Sequence, residues 1–410
     1  MRLGLIGWPL GHSWSPEIHD LLIHEKYDLI PLKEEELDAF FAKRDFDGLN
    51  VTIPYKQTVM KYLDEIDEAA AEIGAVNTIV NNNGRLKGYN TDCIGLKDMI
   101  LNAGIDLTHG RTAILGSGGG SKAAKWAVKQ LGGTYDVISR KAEKPGTLTY
   151  EAMYENQEAY TCLINTTPVG LKPYENDTPA DVNRFENLKA VVDIIANPLR
   201  TKLLFEAKQK EIRILGGFEM LVRQAFAADE LFLGKKLDPA LIDSCMKELY
   251  RQRRNIVLIG MPTSGKSTVS NLLAQRTGKQ LVEMDSVIEE WFGTTIAECF
   301  AEKGEDYFRA VETRVARENS EGNGKIISCG GGVVKIPETM RLLSHNGIVL
   351  WLQRDISQLY PTDSRPLSSD EAAVRKLYEE RLPLYTKYAD HIIDNTGDIE
   401  ETIADILKLI

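Results

Sequence analysis

Residues 255–268 read Asn255-Ile256-Val257-Leu258-Ile259-Gly260-Met261-Pro262-Thr263-Ser264-Gly265-Lys266-Ser267-Thr268. Four apolar residues in a row, closed at once by glycine, have the pattern of a buried strand ending in a tight turn. Residues 260–267 then match G-x-x-x-x-G-K-[ST] at every fixed position, and Thr268–Arg276 continues with helical patterning. In that setting the backbone N–H groups of the loop converge on phosphate oxygens at the positive end of a helix. Thr263, Ser264, Gly265 and Thr268 belong to the cradle, Lys266 would reach the transferable phosphates, and Ser267 would ligate Mg²⁺. A glycine-rich turn arising by chance is the competing reading; the flanking strand and helix count against it.

A second glycine loop lies upstream. Gly116-Ser117-Gly118-Gly119-Gly120-Ser121 follows an apolar strand over 112–115 and opens a helix at Lys122. Small residues there permit a tight turn and let a pyrophosphate approach the helix N-terminus. About 20 residues on, where an acid would hold the ribose hydroxyls of NAD, stand Ser139, Arg140 and Lys141, with Lys144 beyond. Two adjacent cations without a carboxylate suit a 2′-phosphate and so favour NADP. An exposed basic turn is the ordinary alternative.

Strand-like runs alternate with amphipathic stretches throughout, which predicts an α/β protein built on parallel sheets. Strands are expected near Arg2–Ile6, Gly48–Ile53, Arg111–Leu115, Tyr135–Ser139, Thr161–Asn165, Ala190–Ile195 and Asn255–Ile259. Helices are expected from Ser15-Pro16, with Ser15 as cap and proline at the first helical position, from Tyr55, over Phe218–Leu233 and over Pro239–Arg251. Asn82-Asn83-Gly84 reads as a hairpin turn between Val76–Val80 and Leu86–Tyr89. At roughly 150 residues per domain, 410 residues suggest about three units. The join near Tyr250–Arg254 has no Pro, Gly or Ser spacer, so the two halves are expected to be closely coupled or linked through a helix.

A net charge of −11 argues against a general binder of nucleic acid or anionic membranes, and any phosphate must be held by local donors. No apolar run approaches the roughly 20 residues that span a bilayer. The five cysteines are dispersed, with no Cys-x-x-Cys pair, which fits a reducing compartment rather than a disulfide framework or zinc site. The opening residues are too short and too interrupted for a signal peptide, so a cytoplasmic location is expected. The expected partners are small-molecule substrates, with no nucleic acid and no membrane; a homodimer is left open.

Residues downstream of 255 specify the kind of nucleotide enzyme. Asp285, the run Gly304-Glu305-Asp306-Tyr307-Phe308-Arg309-Ala310-Val311-Glu312, Gly330-Gly331-Gly332, Arg365-Pro366-Leu367, and Arg381 ahead of Tyr385 occur in that order. Singly these are solvated arginines, a helix cap and turns. Together they resemble shikimate kinase across essentially all of 255–410. The resemblance implies that Arg309 and Arg381 hold the substrate carboxylate, guanidinium being its natural bidentate partner. It further implies that Gly331 lets backbone approach the ring and that Asp285 bonds the reacting hydroxyl as base. Arg365 would come from a lid onto ATP. Two departures stand out. Glu283-Met284-Asp285 replaces the usual Asp-x-Asp, and the lid over Ile356–Ser364 is short, without a further arginine against adenine.

The first half carries a longer series. Gly7-Trp8-Pro9-Leu10-Gly11-His12-Ser13-Trp14-Ser15-Pro16, Gly48-Leu49-Asn50-Val51-Thr52-Ile53-Pro54-Tyr55-Lys56, Gly74-Ala75-Val76-Asn77-Thr78 and Gly88-Tyr89-Asn90-Thr91-Asp92 are followed by Asn165–Gly170 and Gly217–Gln224. In this order they resemble shikimate dehydrogenase over residues 1–250. The resemblance implies that Ser13 and Ser15 bind a carboxylate, and that Asn50, Thr52, Asn77, Asp92 and Gln224 read ring hydroxyls. Lys56 would supply the proton that quenches charge on a ketone oxygen as hydride arrives, with Asp92 orienting it. Ile194 and Gly217 match positions near the nicotinamide. His12 is read as structural.

The departures here are Ala196 where the family usually has tyrosine on the substrate, Leu171 for methionine and Asp20 for asparagine. The expected architecture is a split substrate domain (1–100 with 217–250), a Rossmann NADP domain (101–216) and a P-loop kinase domain (254–410). The expected reactions are NADPH-dependent reduction of 3-dehydroshikimate to shikimate and ATP-dependent phosphorylation of shikimate. The alternatives are a first half that is an idle binding or dimerisation module, or one that also accepts quinate.

Overall fold

The structure, a computed structural model, describes residues 1–11, 13–142, 145–322, 324–360 and 370–410. Its contacts divide it into two compact units: Met1–Asn197 with Glu206–Met246, and Pro198–Phe205 with Lys247–Ile410.

The first unit holds two six-stranded sheets. One contains β1 (Leu3–Gly7), β2 (Tyr27–Pro31), β3 (Gly48–Val51), β4 (Glu65–Ile66), β5 (Thr78–Asn82) and β6 (Arg85–Tyr89), in the order β2-β1-β3-β5-β6-β4. β1 lies parallel to β2 and β3, and both β1 and β3 are buried along their whole length. β1 accordingly carries no polar side chain, whereas β3 keeps one, Asn50, which is buried. β5 and β6 form an antiparallel hairpin whose two turn residues, Asn83 and Gly84, have φ of 52° and 89°. An Asn-Gly pair tolerates these angles and matches the strand twist.

The other sheet contains β7 (Arg111–Leu115), β8 (Thr134–Ile138), β9 (Thr147–Leu148), β10 (Tyr160–Asn165), β11 (Ala190–Asp193) and β12 (Arg213–Gly216), all parallel, in the order β12-β11-β10-β7-β8-β9. The order reverses between β7 and β10, which opens a crevice at the carboxyl ends of the strands. The helix Gly217–Leu233 returns from this sheet to the first part of the unit. Its Phe218 ring meets Trp14 edge-on at 4.9 Å, and its Asp229 bonds His19 of the helix Ser15–Ile23 at 2.6 Å with both side chains fully buried. Burial pushes the Asp229 carboxyl up, with His19 pulling the other way.

The second unit is one parallel sheet of β13 (Asn255–Ile259), β14 (Gln280–Glu283), β15 (Lys325–Ser328), β16 (Gly347–Gln353) and β17 (His391–Asp394), ordered β14-β15-β13-β16-β17. Its core includes Val257, Ile327, Trp351, Tyr385 and Tyr388. All five cysteines are buried and free. Among the described residues no helix is long and apolar enough to cross a membrane.

Three expectations change. The segment after Pro54 makes only a short 3₁₀ turn, Thr58–Tyr62, in place of a helix from Tyr55. Only Val59 of that turn is buried, too little apolar surface to stabilise a costly helical nucleus. Ser15 is the first residue of its helix rather than the cap, and no side chain caps that end. Residues Pro198–Phe205, expected within the Rossmann stretch, belong to the second unit, where Phe205 joins the apolar core. The helical link is found: Ala240–Arg253 runs up to β13, and the division of units falls within it.

Candidate active sites

In the first unit, Lys56 follows β3 and Asp92 sits in the first turn of the helix Thr91–Asn102, capped by Asn90 through Cys93 N. Lys56 Nζ donates to Asp92 Oδ2 at 2.6 Å, with side chains 31% and 23% exposed, so the pair is reachable yet shielded. Val76 N donates to Lys56 O at 2.7 Å and ties the lysine's backbone to the segment that carries Asn77.

Behind this pair stands a neutral polar network. Asn77 Oδ1 accepts from Thr91 N at 2.6 Å, and Asn77 Nδ2 donates to Thr91 Oγ1 at 3.0 Å and to Gln224 Oε1 at 3.5 Å. Asn50 Nδ2 donates to Thr78 Oγ1 at 3.0 Å, and Asn50 Oδ1 accepts from Tyr27 Oη at 2.7 Å. Asn50, Asn77 and Gln224, three of the expected ring-reading residues, are thus brought together, and each is at least nine-tenths buried. Thr91, Thr78 and Tyr27 hold them and were not singled out from the sequence, although Thr91 and Thr78 lie inside the quoted motifs. Ser13 Oγ donates to Ser15 Oγ at 3.1 Å, which keeps these two hydroxyls adjacent. Thr52 is placed by its N–H on Ile6 O at 3.0 Å.

At the glycine loop, β7 is followed by Gly116 with φ of 101°, and a helix starts at Gly119 with no side-chain cap. A side chain on Gly116 would meet Thr166, and one on Gly120 would meet Ile194; at Gly118 and Gly119 nothing lies within 4 Å. Two glycines therefore serve packing, and two face open space where a phosphate could approach. Ser121 Oγ closes the turn on Gly118 O at 2.7 Å. Ser139, Arg140 and Lys141 follow β8, and both cations are exposed. Gly217 lies against the backbone of Ile194 and Ile195, so close that any side chain would strike it. Ala196 is half-buried beside this turn in sequence. Ser117 sits in the loop, and Gly120 is the second residue of the helix that follows it. Lys144 and His12 fall outside the described residues.

In the second unit, Gly260, Thr263 and Gly265 adopt φ of 150°, 64° and 90°. A left-handed threonine is strained and is held only by its surroundings. Part of that support is Asn395, whose Nδ2 donates to Ser264 O at 2.7 Å, a contact that no local sequence signal announces. Lys266 is buried, with Nζ donating to Gly260 O at 3.0 Å and Met261 O at 2.8 Å. Ser267 and Thr268 are exposed at the start of the helix Lys266–Thr277. Ser270 Oγ donates to Glu283 Oε1 at 2.9 Å and brings that carboxylate to the same helix.

Arg309 Nη1 donates to Glu312 Oε2 at 2.7 Å, and its Nε and Nη2 donate to Glu305 at 3.2 and 3.1 Å. Burial pushes Glu312 up to about 7, against the opposing pull of Arg309. A side chain on Gly330 would strike Asp285 Oδ1 and approach Glu312, while one on Gly331 would strike Pro262 of the phosphate loop. Asp285, Arg309 and the glycine triplet are thereby gathered beside the loop. Arg381 is 4% exposed, and its Nε is buried without a hydrogen-bond partner. Arg365 lies outside the described residues. Among the described residues, no cluster of three or more carboxylate, histidine or cysteine groups could hold a metal ion.

The fold and residues of the first unit are those of a dinucleotide-dependent oxidoreductase for a small polar substrate, and those of the second are of a P-loop phosphotransferase. Comparison with known proteins narrows both. Residues 5–79 match the shikimate dehydrogenase substrate binding domain model, and residues 262–410 match the shikimate kinase model. The chain is 37% identical over 272 residues to the shikimate dehydrogenase (NADP(+)) of Shouchella clausii, covering 61% of this chain and 98% of that protein. It is also 37% identical over 258 residues to that of Methanococcus maripaludis, covering 58% and 93%. Among solved structures it resembles a chorismate mutase/shikimate 5-dehydrogenase fusion protein from Clostridium acetobutylicum (34% identity, TM-score 0.56, 60% of this chain and 96% of that one). It also resembles the Thermus thermophilus shikimate 5-dehydrogenase solved with NADP(H) and shikimate (31% identity, TM-score 0.55, 60% and 99%). The chain belongs to the shikimate dehydrogenase family and carries a shikimate kinase domain as its C-terminal part.

Proposed function

We propose that the chain catalyses two consecutive reactions: NADPH-dependent reduction of 3-dehydroshikimate to shikimate, then ATP-dependent phosphorylation of the shikimate 3-hydroxyl. The observation that carries the reading is the 2.6 Å contact of Lys56 with Asp92 beside a buried network of neutral amides and hydroxyls.

NADPH supplies the hydride. Gly118 and Gly119 leave room for its pyrophosphate, and Arg140 and Lys141 offer charge to its 2′-phosphate. Ser13 and Ser15 take the substrate carboxylate. Asn50, Asn77 and Gln224 are already tied to Tyr27, Thr78 and Thr91, so a ring hydroxyl enters by exchanging one of these bonds, in a pocket whose polar groups stay satisfied. Lys56 donates the proton to the developing alkoxide, and Asp92 holds it in line.

In the second unit the loop 260–267 cradles the ATP phosphates, and Lys266 shifts from loop carbonyls to phosphate oxygens. Ser267 would hold Mg²⁺, with Glu283 reaching its water shell. An ion that keeps most of its waters and takes phosphate oxygens needs few protein ligands, which fits a site without a carboxylate cluster. Arg381, with its unpartnered Nε, and Arg309 bind the shikimate carboxylate, and Asp285 takes the hydroxyl proton.

The test is one assay with dehydroshikimate, NADPH and Mg-ATP. NADPH should be oxidised and shikimate 3-phosphate should form. Phosphorylation of added shikimate with neither NADPH oxidation by dehydroshikimate nor NADP⁺ reduction by shikimate would establish the first half as an idle module, the reading that Ala196 favours.

A further inference from the structure

The second unit contains eight residues from far upstream in the chain, Pro198–Phe205, and they are fixed to it at both ends. Leu199 N donates to Asn346 Oδ1 at 3.0 Å, and Arg200 N donates to His345 O at 2.9 Å. The Arg200 guanidinium donates through Nη2 to Asp390 Oδ1 at 2.8 Å, with the two side chains 12% and 13% exposed. The other Asp390 oxygen accepts from Val349 N of β16 at 2.9 Å, so the carboxylate bridges the segment to the sheet. At the far end Phe205 is buried and stacks on Tyr388, with centroids 6.1 Å apart and planes 8° from parallel.

Tyr388 is the last residue of the helix Glu371–Tyr388, and Asp390 is the residue two beyond it, just before β17. Arg381, Tyr385 and Tyr388 are spaced four and three residues apart and so share one face of that helix. Tyr385 is fully buried, stacks on Trp351 at 5.6 Å and donates its hydroxyl to Gly331 O at 2.5 Å. Pro383 interrupts the helix between Arg381 and Tyr385. Proline removes one backbone hydrogen bond and clashes with the preceding turn, so the last turn is held less by its own backbone than by what packs on it.

We propose that Pro198–Phe205 is a positioning element of the phosphotransfer site. It braces the final turn of the helix Glu371–Tyr388 through Phe205 on Tyr388 and Arg200 on Asp390, and thereby fixes Tyr385 against Gly331 and Arg381 at the carboxylate. The kinase domain of this chain is completed by a piece of sequence that lies within the span matched by dehydrogenases. This inference rests on the assignment of Arg381 and Gly331 to shikimate in the second unit.

The test uses the full chain and compares Phe205→Ala, Phe205→Tyr, Arg200→Gln and Arg381→Ala in the kinase reaction. Misplacing a binding group through its support costs substrate affinity first, so KM for shikimate should rise about tenfold in Phe205→Ala and Arg200→Gln. KM for ATP should stay near wild type, and Phe205→Tyr, which keeps the stacked ring, should restore KM for shikimate. Unchanged KM for shikimate in both Phe205→Ala and Arg200→Gln, while Arg381→Ala raises it, would overturn the bracing role and leave the site assignment standing. If Arg381→Ala itself leaves KM for shikimate unchanged, the site assignment fails instead. A fall in kcat alone, in proportion to the fraction of folded enzyme, would mark the segment as structural only and overturn the proposal. Should Phe205→Ala yield no folded protein, Arg200→Gln carries the same comparison, since it leaves the apolar packing intact.

Discussion

Burial pushes the Glu312 carboxyl up to about 7, and Arg309 at 2.7 Å opposes that shift. In the unfolded chain the same carboxyl titrates near ~4.3. Between these values the folded protein keeps a proton that the unfolded chain has released. The stability this group contributes is therefore fully present below the lower value and is lost as pH rises through about 7. Glu312→Gln should flatten that slope. Hydrogen exchange of the β15 amides at pH 5 and pH 8 reads it directly, and an unchanged difference between the two pH values would show that Glu312 is ionised throughout. Arg140 offers a second test at this scale. Arg140→Ala should lower kcat/KM with NADP by about tenfold and leave NAD nearly unchanged, since only the former carries a phosphate to lose a charge-assisted bond. Equal effects on both cofactors would remove the 2′-phosphate assignment. Lys56, Asp92, Arg309 and Arg381 could be singled out as candidates from the sequence because their chemistry is scarce and their motifs are local. Tyr27, Thr91 and Asn395 were not, because each works by bonding a residue that is distant or whose own role was read first.

The helix Thr91–Asn102 carries Asp92 and crosses Gly217–Leu233, which carries Gln224, and a single glycine sets how closely they pass. A Cβ at Gly95 would lie 2.9 Å from both Met220 O and Gln224 N. Gly95→Ala should therefore push the helices apart, cost about 1–3 kcal/mol of stability and raise KM for shikimate in the dehydrogenase reaction by displacing Gln224. A thermal melt and steady-state kinetics check the two effects together. Gly118→Ala is the contrast, because nothing lies within 4 Å of that position. It should leave the melt unchanged and raise KM for NADP. The sequence treats these glycines alike, since neither needs a positive φ and the difference lies wholly in what stands opposite. The same limit explains the elements. Strands β1, β7 and β13 were plain from uninterrupted apolar runs before glycine, whereas Thr58–Tyr62 and the placement of Pro198–Phe205 depend on contacts made across the sequence.

The two proposed centres draw on separate residue sets within separate compact units, Lys56 and Asp92 in one and Lys266, Asp285 and Arg381 in the other. Single substitutions should therefore divide the activities. Lys56→Ala removes the proposed proton donor for the ketone and should cut dehydroshikimate reduction by about 10²–10⁴, while added shikimate is still phosphorylated. Lys266→Ala removes the charge proposed to steer the transferable phosphates, so NADPH should be oxidised and shikimate should accumulate without its 3-phosphate. Mixing the two variants provides the sharper measurement. If shikimate leaves the first site into solution before it is phosphorylated, the mixture should make shikimate 3-phosphate after a lag that shortens as protein concentration rises. Unmixed wild type should show a lag of the same kind, because each centre draws on the same free pool. A wild-type reaction without a lag, beside a mixture that makes no 3-phosphate although each variant keeps its own activity, would mean that shikimate passes only within one chain.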